Sequence, residues 1–401
     1  MMKSDIAEGI PVLEFPVGFH KFHKDQGFNF QLNRWYSLGI ARMEDLEEAG
    51  ENIRAAEDWK NAFVRLADNA TADNRLINAA YYFRAAEFYL TDDDPDKILI
   101  YQKFIKYFEK AFENSGYKLK EVPYGSSSIP IIQIRSTQTE KIGTIILHGG
   151  YDSYKEELFS LVLHFSNLGY DVVTFECPWM KIPRHEDQPG LDFRWEKIIG
   201  AVLDHLNLTD VTLIGISMGG WLSLRASAFE PRIKRVIASS VSFDVNQYVG
   251  PIAQKIANLF FTKFRNFTNK AMINRMNKEV QYAWFVNHLM AITNQKIPIN
   301  AFDILLQFNE ENLHSEKVKQ DVLILTGKED HMIPLKTHHL QVNALTNAKS
   351  ITARIFSKED QAQNHCQVGN LTLALDMMNN WIQDKTTNNE SGRDHIPGQS
   401  Q

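Results

Sequence analysis

The stretch Val211-Thr-Leu-Ile-Gly-Ile-Ser-Met-Gly-Gly220 decides how this chain is read. It is an apolar run, then Gly215-Ile216-Ser217-Met218-Gly219, then helical spacing from Trp221 to Phe229. A strand that turns sharply into a helix through Gly-x-Ser-x-Gly is a nucleophile elbow. The glycines are needed because strand and helix approach each other closely while the serine backbone is held under strain. Ser217 Oγ is then expected at the top of a sheet, above the positive end of the helix it starts.

Working outward, the neighbouring segments supply the sheet. Gly143-Thr-Ile-Ile-Leu147, Tyr170-Asp-Val-Val-Thr-Phe175, Arg235-Val-Ile-Ala-Ser239, Asp321-Val-Leu-Ile-Leu-Thr326 and Ser350 to Phe356 read as strands. Helical spacing separates several of them, from Glu156 to Leu168 and from Trp195 to Leu206. Continuous apolar strands alternating with helices imply a mostly parallel sheet with helices on both faces. With the elbow, this is the α/β-hydrolase fold. Tyr117 to Tyr124 and Ile129 to Arg135, joined by Gly125 to Ser128, read as a β-hairpin.

Two regions break the βα rhythm. From Phe28 to about Ser115, spacings of three and four dominate and aromatics abound, so residues 1–115 are expected to form an N-terminal helical domain. Within it, Thr91-Asp-Asp-Asp-Pro95 is a break able to cap the following helix, with Pro95 near its first turn. The second region, about 243–318, interrupts a hydrolase domain of 116–385 with amphipathic helices bearing Ile252, Ile256, Leu259, Phe260, Met272, Trp284 and Phe285. An insertion after the strand that follows the elbow is where this fold carries a lid. Its aromatic and Met stripe reads either as helix-packing core or as the lining of an apolar substrate pocket. Residues 386–401 are polar and expected to be a disordered tail.

Composition narrows the function. The chain has 401 residues, 44% of them hydrophobic, and a net charge of −6. No long basic block is present, which argues against nucleic acid and membrane as partners. Two cysteines, Cys177 and Cys366, suit a reducing compartment. Met1 to Phe15 lacks a charged start followed by an apolar stretch, and no apolar run is long enough to cross a bilayer. A cytoplasmic location is expected, with a small-molecule substrate as partner and a homodimer compatible with the chain.

A serine hydroxyl attacks only when a base takes its proton and a third group orients that base. In this fold the order is Ser, acid, His. Asp330 follows the strand 321–326, and His365 lies past the last strand, so the expected triad is Ser217, Asp330 and His365. Glu329 is the adjacent alternative acid. His331, His338 and His339 lie too early to be the base and read as surface residues. That cluster has no cysteine and no ligand spacing, so neither a metal nor a cofactor is expected. Cys366 reads as a small buried packing residue, and Asp244 as a cap. For the oxyanion, one donor is the Met218 N–H. The second comes from His148-Gly149-Gly150-Tyr151, with Gly150 and Tyr151 both open and His148 a structural hydrogen-bonder.

Three motifs together carry a family resemblance: His148-Gly-Gly-Tyr-Asp-Ser-Tyr-Lys-Glu-Glu157, Gly215-Ile-Ser-Met-Gly-Gly220 and His365-Cys-Gln-Val-Gly-Asn370. They resemble a group of α/β-hydrolases that includes 2,6-dihydroxypseudooxynicotine hydrolase, fungal polyketide-shortening hydrolases and FrsA-like esterases. Phe28-Asn-Phe-Gln-Leu-Asn-Arg-Trp35 and Trp195-Glu196 also look like that group. The resemblance implies a Ser–Asp–His hydrolase with helices packed over its active site, cleaving esters or a carbon–carbon bond next to a ketone. The chain departs from the group at Glu176-Cys-Pro-Trp-Met180, where many members carry Gly-Pro-Gly-Gln, a turn expected near the substrate. Two other readings are an oligopeptidase-like peptidase, which the helical, repeat-free N-terminal half disfavours, and a non-catalytic binding protein on a hydrolase fold.

Overall fold

A computed structural model describes residues 13–183 and 188–391. Five helices come first: α1 (Gln26–Ser37), α2 (Met43–Asn52), α3 (Ala56–Ala72), α4 (Leu76–Glu87) and α5 (Lys97–Ala111). The hairpin strands β1 (Lys118–Tyr124) and β2 (Ser127–Ile134) follow, then β3 (Gly143–His148), α6 (Phe159–Asn167), β4 (Tyr170–Phe175) and α7 (Glu196–Leu206). The elbow unit is β5 (Val211–Ile216) and α8 (Met218–Ser227), followed by β6 (Ile233–Ser239). Helices α9 (Pro251–Lys263), α10 (Arg265–Met276), α11 (Val280–Ile292), α12 (Pro298–Leu305) and α13 (Glu310–Leu313) form the insertion. The chain closes with β7 (Asp321–Gly327), α14 (Lys336–Ala344), β8 (Ser350–Phe356) and α15 (Leu371–Ser391).

The eight strands form one sheet in the order β1-β2-β4-β3-β5-β6-β7-β8. β1 and β2 pair antiparallel, as do β2 and β4, and the remaining pairs are parallel. Every residue of β4 and β7 is buried, as expected for parallel strands covered on both faces. The chain steps from β3 outward to β4, then back past β3 to β5 and on to β8. Right-handed crossovers therefore put α6 on one face and α7 and α8 on the other. The reversal leaves a switch point at the carboxyl ends of β3 and β5, where such sheets bind ligands. His148 and Gly215 are register partners there. The loop after β3 and the elbow after β5 consequently meet.

Helices α1–α5 are densely packed and share one continuous core with the sheet. Trp59 stacks on Phe28 at 5.5 Å and donates from Nε1 to Ala85 O at 2.6 Å. Phe108 of α5 and Phe112 just past its end pack edge-on against Phe159 at 5.1 and 4.8 Å, joining these helices to α6. The insertion contrasts with this. α9 buries no side chain and α10 only Met272. α11 is tied to the first region by Trp284, which stacks on Phe88 at 4.7 Å and donates to Phe88 O at 2.7 Å.

Three local expectations need correcting. Pro95 lies outside α5, which starts at Lys97 behind Asp96; Asp94 instead accepts from the Asp96 N–H at 2.9 Å. The segment expected to be helical from Glu156 opens as a short 3-10 turn (Lys155–Leu158), and the helix proper, nearly all buried, starts at Phe159. α15 runs on to Ser391, into the stretch expected to be a disordered tail. The remainder of that tail lies outside the described residues.

Candidate active site

Ser217 sits between β5 and α8 with φ 62° and ψ −127°, a backbone conformation that non-glycine residues rarely adopt. Packing enforces it. A Cβ on Gly215 would stand 2.0 Å from Gly219 O and 2.1 Å from Ser223 Oγ, so strand and helix leave no room for a side chain. The Ser217 N–H donates to Ser239 O at 2.9 Å, pinning the turn to the end of β6.

The structure brings Ser217, His365 and Asp330 into one hydrogen-bonded line. His365 Nε2 is 2.8 Å from Ser217 Oγ, and His365 Nδ1 is 2.7 Å from Asp330 Oδ2. The Asp330 side chain is 1% exposed, and its Oδ1 accepts from the Met332 and Ile333 N–H groups at 2.9 Å each. Burial disfavours its charge, but the imidazole and these donors hold the carboxyl below its usual range. Burial likewise opposes charge on His365, yet the Asp330 carboxylate wins and raises the imidazole well above its usual value. Glu329, the alternative acid, faces outward and pairs with Lys358 at 3.2 Å.

Across from the elbow, a Cβ on Gly150 would stand 2.7 Å from Met218 N, so this glycine leaves the Met218 N–H uncovered. Met218 opens α8, where an N–H has no partner inside the helix. Tyr151 stacks on Phe285 at 5.2 Å and donates from its hydroxyl to Phe285 O at 2.6 Å. Its carbonyl accepts from His288 Nε2 at 2.8 Å, so the backbone of this loop is held from α11. His148 lies fully buried beneath. Its Nε2 accepts from Trp195 Nε1 at 3.2 Å, which leaves Nδ1 as the donor to Gly149 O at 2.8 Å. Burial lowers its pKa to about 4, so it is neutral and fixes the loop without titrating near neutrality.

Sequence reasoning missed the framework that holds this loop. Arg34 of α1 donates to both Asp152 oxygens at 3.1 and 3.3 Å, to Ser153 Oγ at 3.2 Å and to Glu157 Oε2 at 2.7 Å. Arg84 of α4 reaches Glu157 at 2.6 Å, Glu87 at 2.5 Å and Asp152 O at 2.9 Å. Lys97 completes the cluster with Glu87 at 2.6 Å. Asp152 and Glu87 both stay ionised: burial opposes it, and the neighbouring cations overcome that opposition. The signals in the sequence were the acids Asp152 and Glu157 just past a buried strand and Arg34 within Phe28–Trp35, two stretches that the family resemblance includes without pairing them.

A cavity of about 890 Å³ opens above Ser217. Its wall is mostly apolar, with Phe285, Phe302 and Leu305 from the insertion, Phe30 from α1, and Leu371 and Leu375 from α15. The residues of Glu176-Cys-Pro-Trp-Met180 are buried and do not line this cavity. Trp179 packs on Trp195, and Glu176 pairs with Lys155, so the departure from the family pattern falls in packing. Two other readings change. His338 is buried, with Nδ1 2.8 Å from Thr326 Oγ1, and is not a surface residue. His331 is exposed, as expected, and its ring packs on Phe30 at 4.7 Å at the edge of the cavity. Cys366 is half-buried and also lines the cavity. Asp244 accepts from Asn246 N at 2.7 Å, which makes it a cap.

Among the described residues, no helix is long and apolar enough to cross a membrane. Comparison with known proteins agrees with the fold. The chain is 28% identical over 278 residues to the alpha/beta hydrolase psoB of Aspergillus fumigatus, covering 58% of this chain and 62% of that one. It is 26% identical over 416 residues to the hydrolase LUC6 of a Fusarium species, covering 90% and 97%. Among solved structures, 2,6-dihydroxy-pseudo-oxynicotine hydrolase superposes with a TM-score of 0.64 at 19% identity, over 88% of this chain and 95% of that one, a likeness of fold. These are the relatives to which the three motifs pointed. Residues 145–349, from β3 through the elbow and the insertion to the edge of β8, match the alpha/beta hydrolase family. The chain belongs to that family and is a hydrolase.

Proposed function

We propose that the protein is a serine hydrolase acting on a small or medium, largely apolar organic carbonyl compound. The observation that carries this reading is the line Ser217–His365–Asp330 at a strained elbow, opening into a mostly apolar cavity. His365 takes the Ser217 proton as Oγ attacks the carbonyl carbon. The oxyanion then rests on the Met218 N–H and on a backbone N–H of Gly150 or Tyr151. His365 returns the proton to the leaving group, and a water activated by His365 releases the acyl group. Residues of this chain supply every step, with no cofactor or metal called on.

The leaving group is an alkoxide for an ester or an enolate for a carbon–carbon bond next to a ketone. The same proton from His365 serves both. A panel pairing aryl esters with 1,3-diketones of matched size tests the reading and separates the two reactions. Turnover of either class that vanishes in Ser217→Ala supports it. Turnover of neither class, or unchanged turnover in Ser217→Ala, would refute it.

The site also sets a pH dependence. Only neutral His365 can accept a proton, and Asp330 raises its pKa. Activity should therefore climb with pH through that titration. Asp330→Asn removes the stabilising anion, so the rise should move to lower pH while kcat falls by about 10⁴-fold. A kcat/KM profile whose acid limb stays in place in that variant would remove Asp330 from its role.

A further inference from the structure

The net charge of −6 hides a local imbalance. From Val245 to Lys278 the chain has no Asp or Glu but carries Lys255, Lys263, Arg265, Lys270, Arg275 and Lys278. Arg265 pairs with Asp303 and Arg275 with Glu279. The four lysines have no carboxylate partner among the described residues. The same segment displays apolar side chains in water. Ile252, Ile256 and Leu259 recur at helical spacing on α9, and Ile252 is 77% exposed. Phe264 and Phe267 extend the patch onto α10, with Phe267 64% exposed. At 100° per residue, Lys255 and Lys263 fall on or beside that apolar stripe.

An apolar stripe bordered by cations, on a helix that fully buries no side chain, is the pattern of a helix lying in a lipid interface. A second copy fits less well. A two-fold contact places the patch on itself, which would oppose lysines to lysines. The placement is also pointed: Tyr248 before α9 and Arg275 near the end of α10 both line the cavity over Ser217.

We propose that α9 and α10 dock on an anionic lipid surface. Ile252, Ile256, Leu259 and Phe267 enter the headgroup–acyl boundary, and the lysines meet the headgroups. The cavity mouth then lies beside the bilayer. The expectation of no membrane partner rested on the net charge and the lack of a long basic block, and neither registers cations spaced along one segment.

The test is co-sedimentation of the full chain with vesicles of phosphatidylcholine alone and of phosphatidylcholine mixed with phosphatidylserine. Binding should favour the mixed vesicles and weaken in high salt. Lys255→Gln with Lys263→Gln should lower the partition coefficient by on the order of tenfold or more. Ile252→Ser with Ile256→Ser should lower it comparably, and both variants should keep wild-type hydrolysis of a water-soluble ester. Failure of the wild type to bind mixed vesicles would overturn the proposal. So would equal binding to both vesicle types, equal binding by the variants, or a concentration-dependent dimer that the serine variants abolish without any vesicle binding.

Discussion

The two helical regions that close over Ser217 are built in opposite ways. Helices α1–α5 bury large aromatics and send Arg34 and Arg84 into the loop after β3. Helices α9–α12 keep much of their apolar surface on the cavity or in solvent and, among the described residues, send no ion pair into the loop after β3. The first region behaves as part of the frame of the proposed active site, because the loop proposed to donate to the oxyanion cannot hold its buried acids without it. The second behaves as a surface that meets ligands. Aromatic content alone does not distinguish the two. The difference lies in where the charges go.

The comparison can be broken most sharply at Arg84. Arg84→Ala leaves Glu87 and Glu157 buried beside less cation, which should cost about 3–5 kcal/mol in urea unfolding. A loss below about 1 kcal/mol would mean that the frame does not depend on this cluster. Next is Arg34→Gln. It should lower kcat by on the order of 10²-fold with less change in KM, because the loop donors lose their placement. A change confined to KM would instead place Arg34 with the ligand-facing surface. Phe302→Ala should do the reverse, raising KM about tenfold with kcat nearly kept. The smallest effect belongs to Ile256→Ser. It should change the unfolding free energy measured in urea by no more than about 0.5 kcal/mol, since α9 fully buries no side chain. A large loss would show that α9 is packed after all.

Legibility followed the range of the interactions. The elbow and the parallel strands are written in adjacent residues, so their type and order could be read directly. Asp330 and His365 could be placed because fold topology fixes the order of the loops that carry them. The arginine clamp could not, because Arg34 and Asp152 are 118 positions apart and nothing local to either marks the pair. His338 was misplaced for a similar reason, since its partner Thr326 lies across the β7–α14 turn. The start of α5 after Pro95 and the run of α15 past residue 385 depend on backbone hydrogen bonds that periodicity does not encode.

The central claim is that Ser217 is the attacking atom, activated through His365. A fluorophosphonate probe, read by mass spectrometry of the intact protein and its peptides, measures this directly. One adduct on the Ser217 peptide is expected, absent in Ser217→Ala and strongly slowed in His365→Ala. Labelling that persists in Ser217→Ala, or that proceeds at the wild-type rate without His365, would contradict the account.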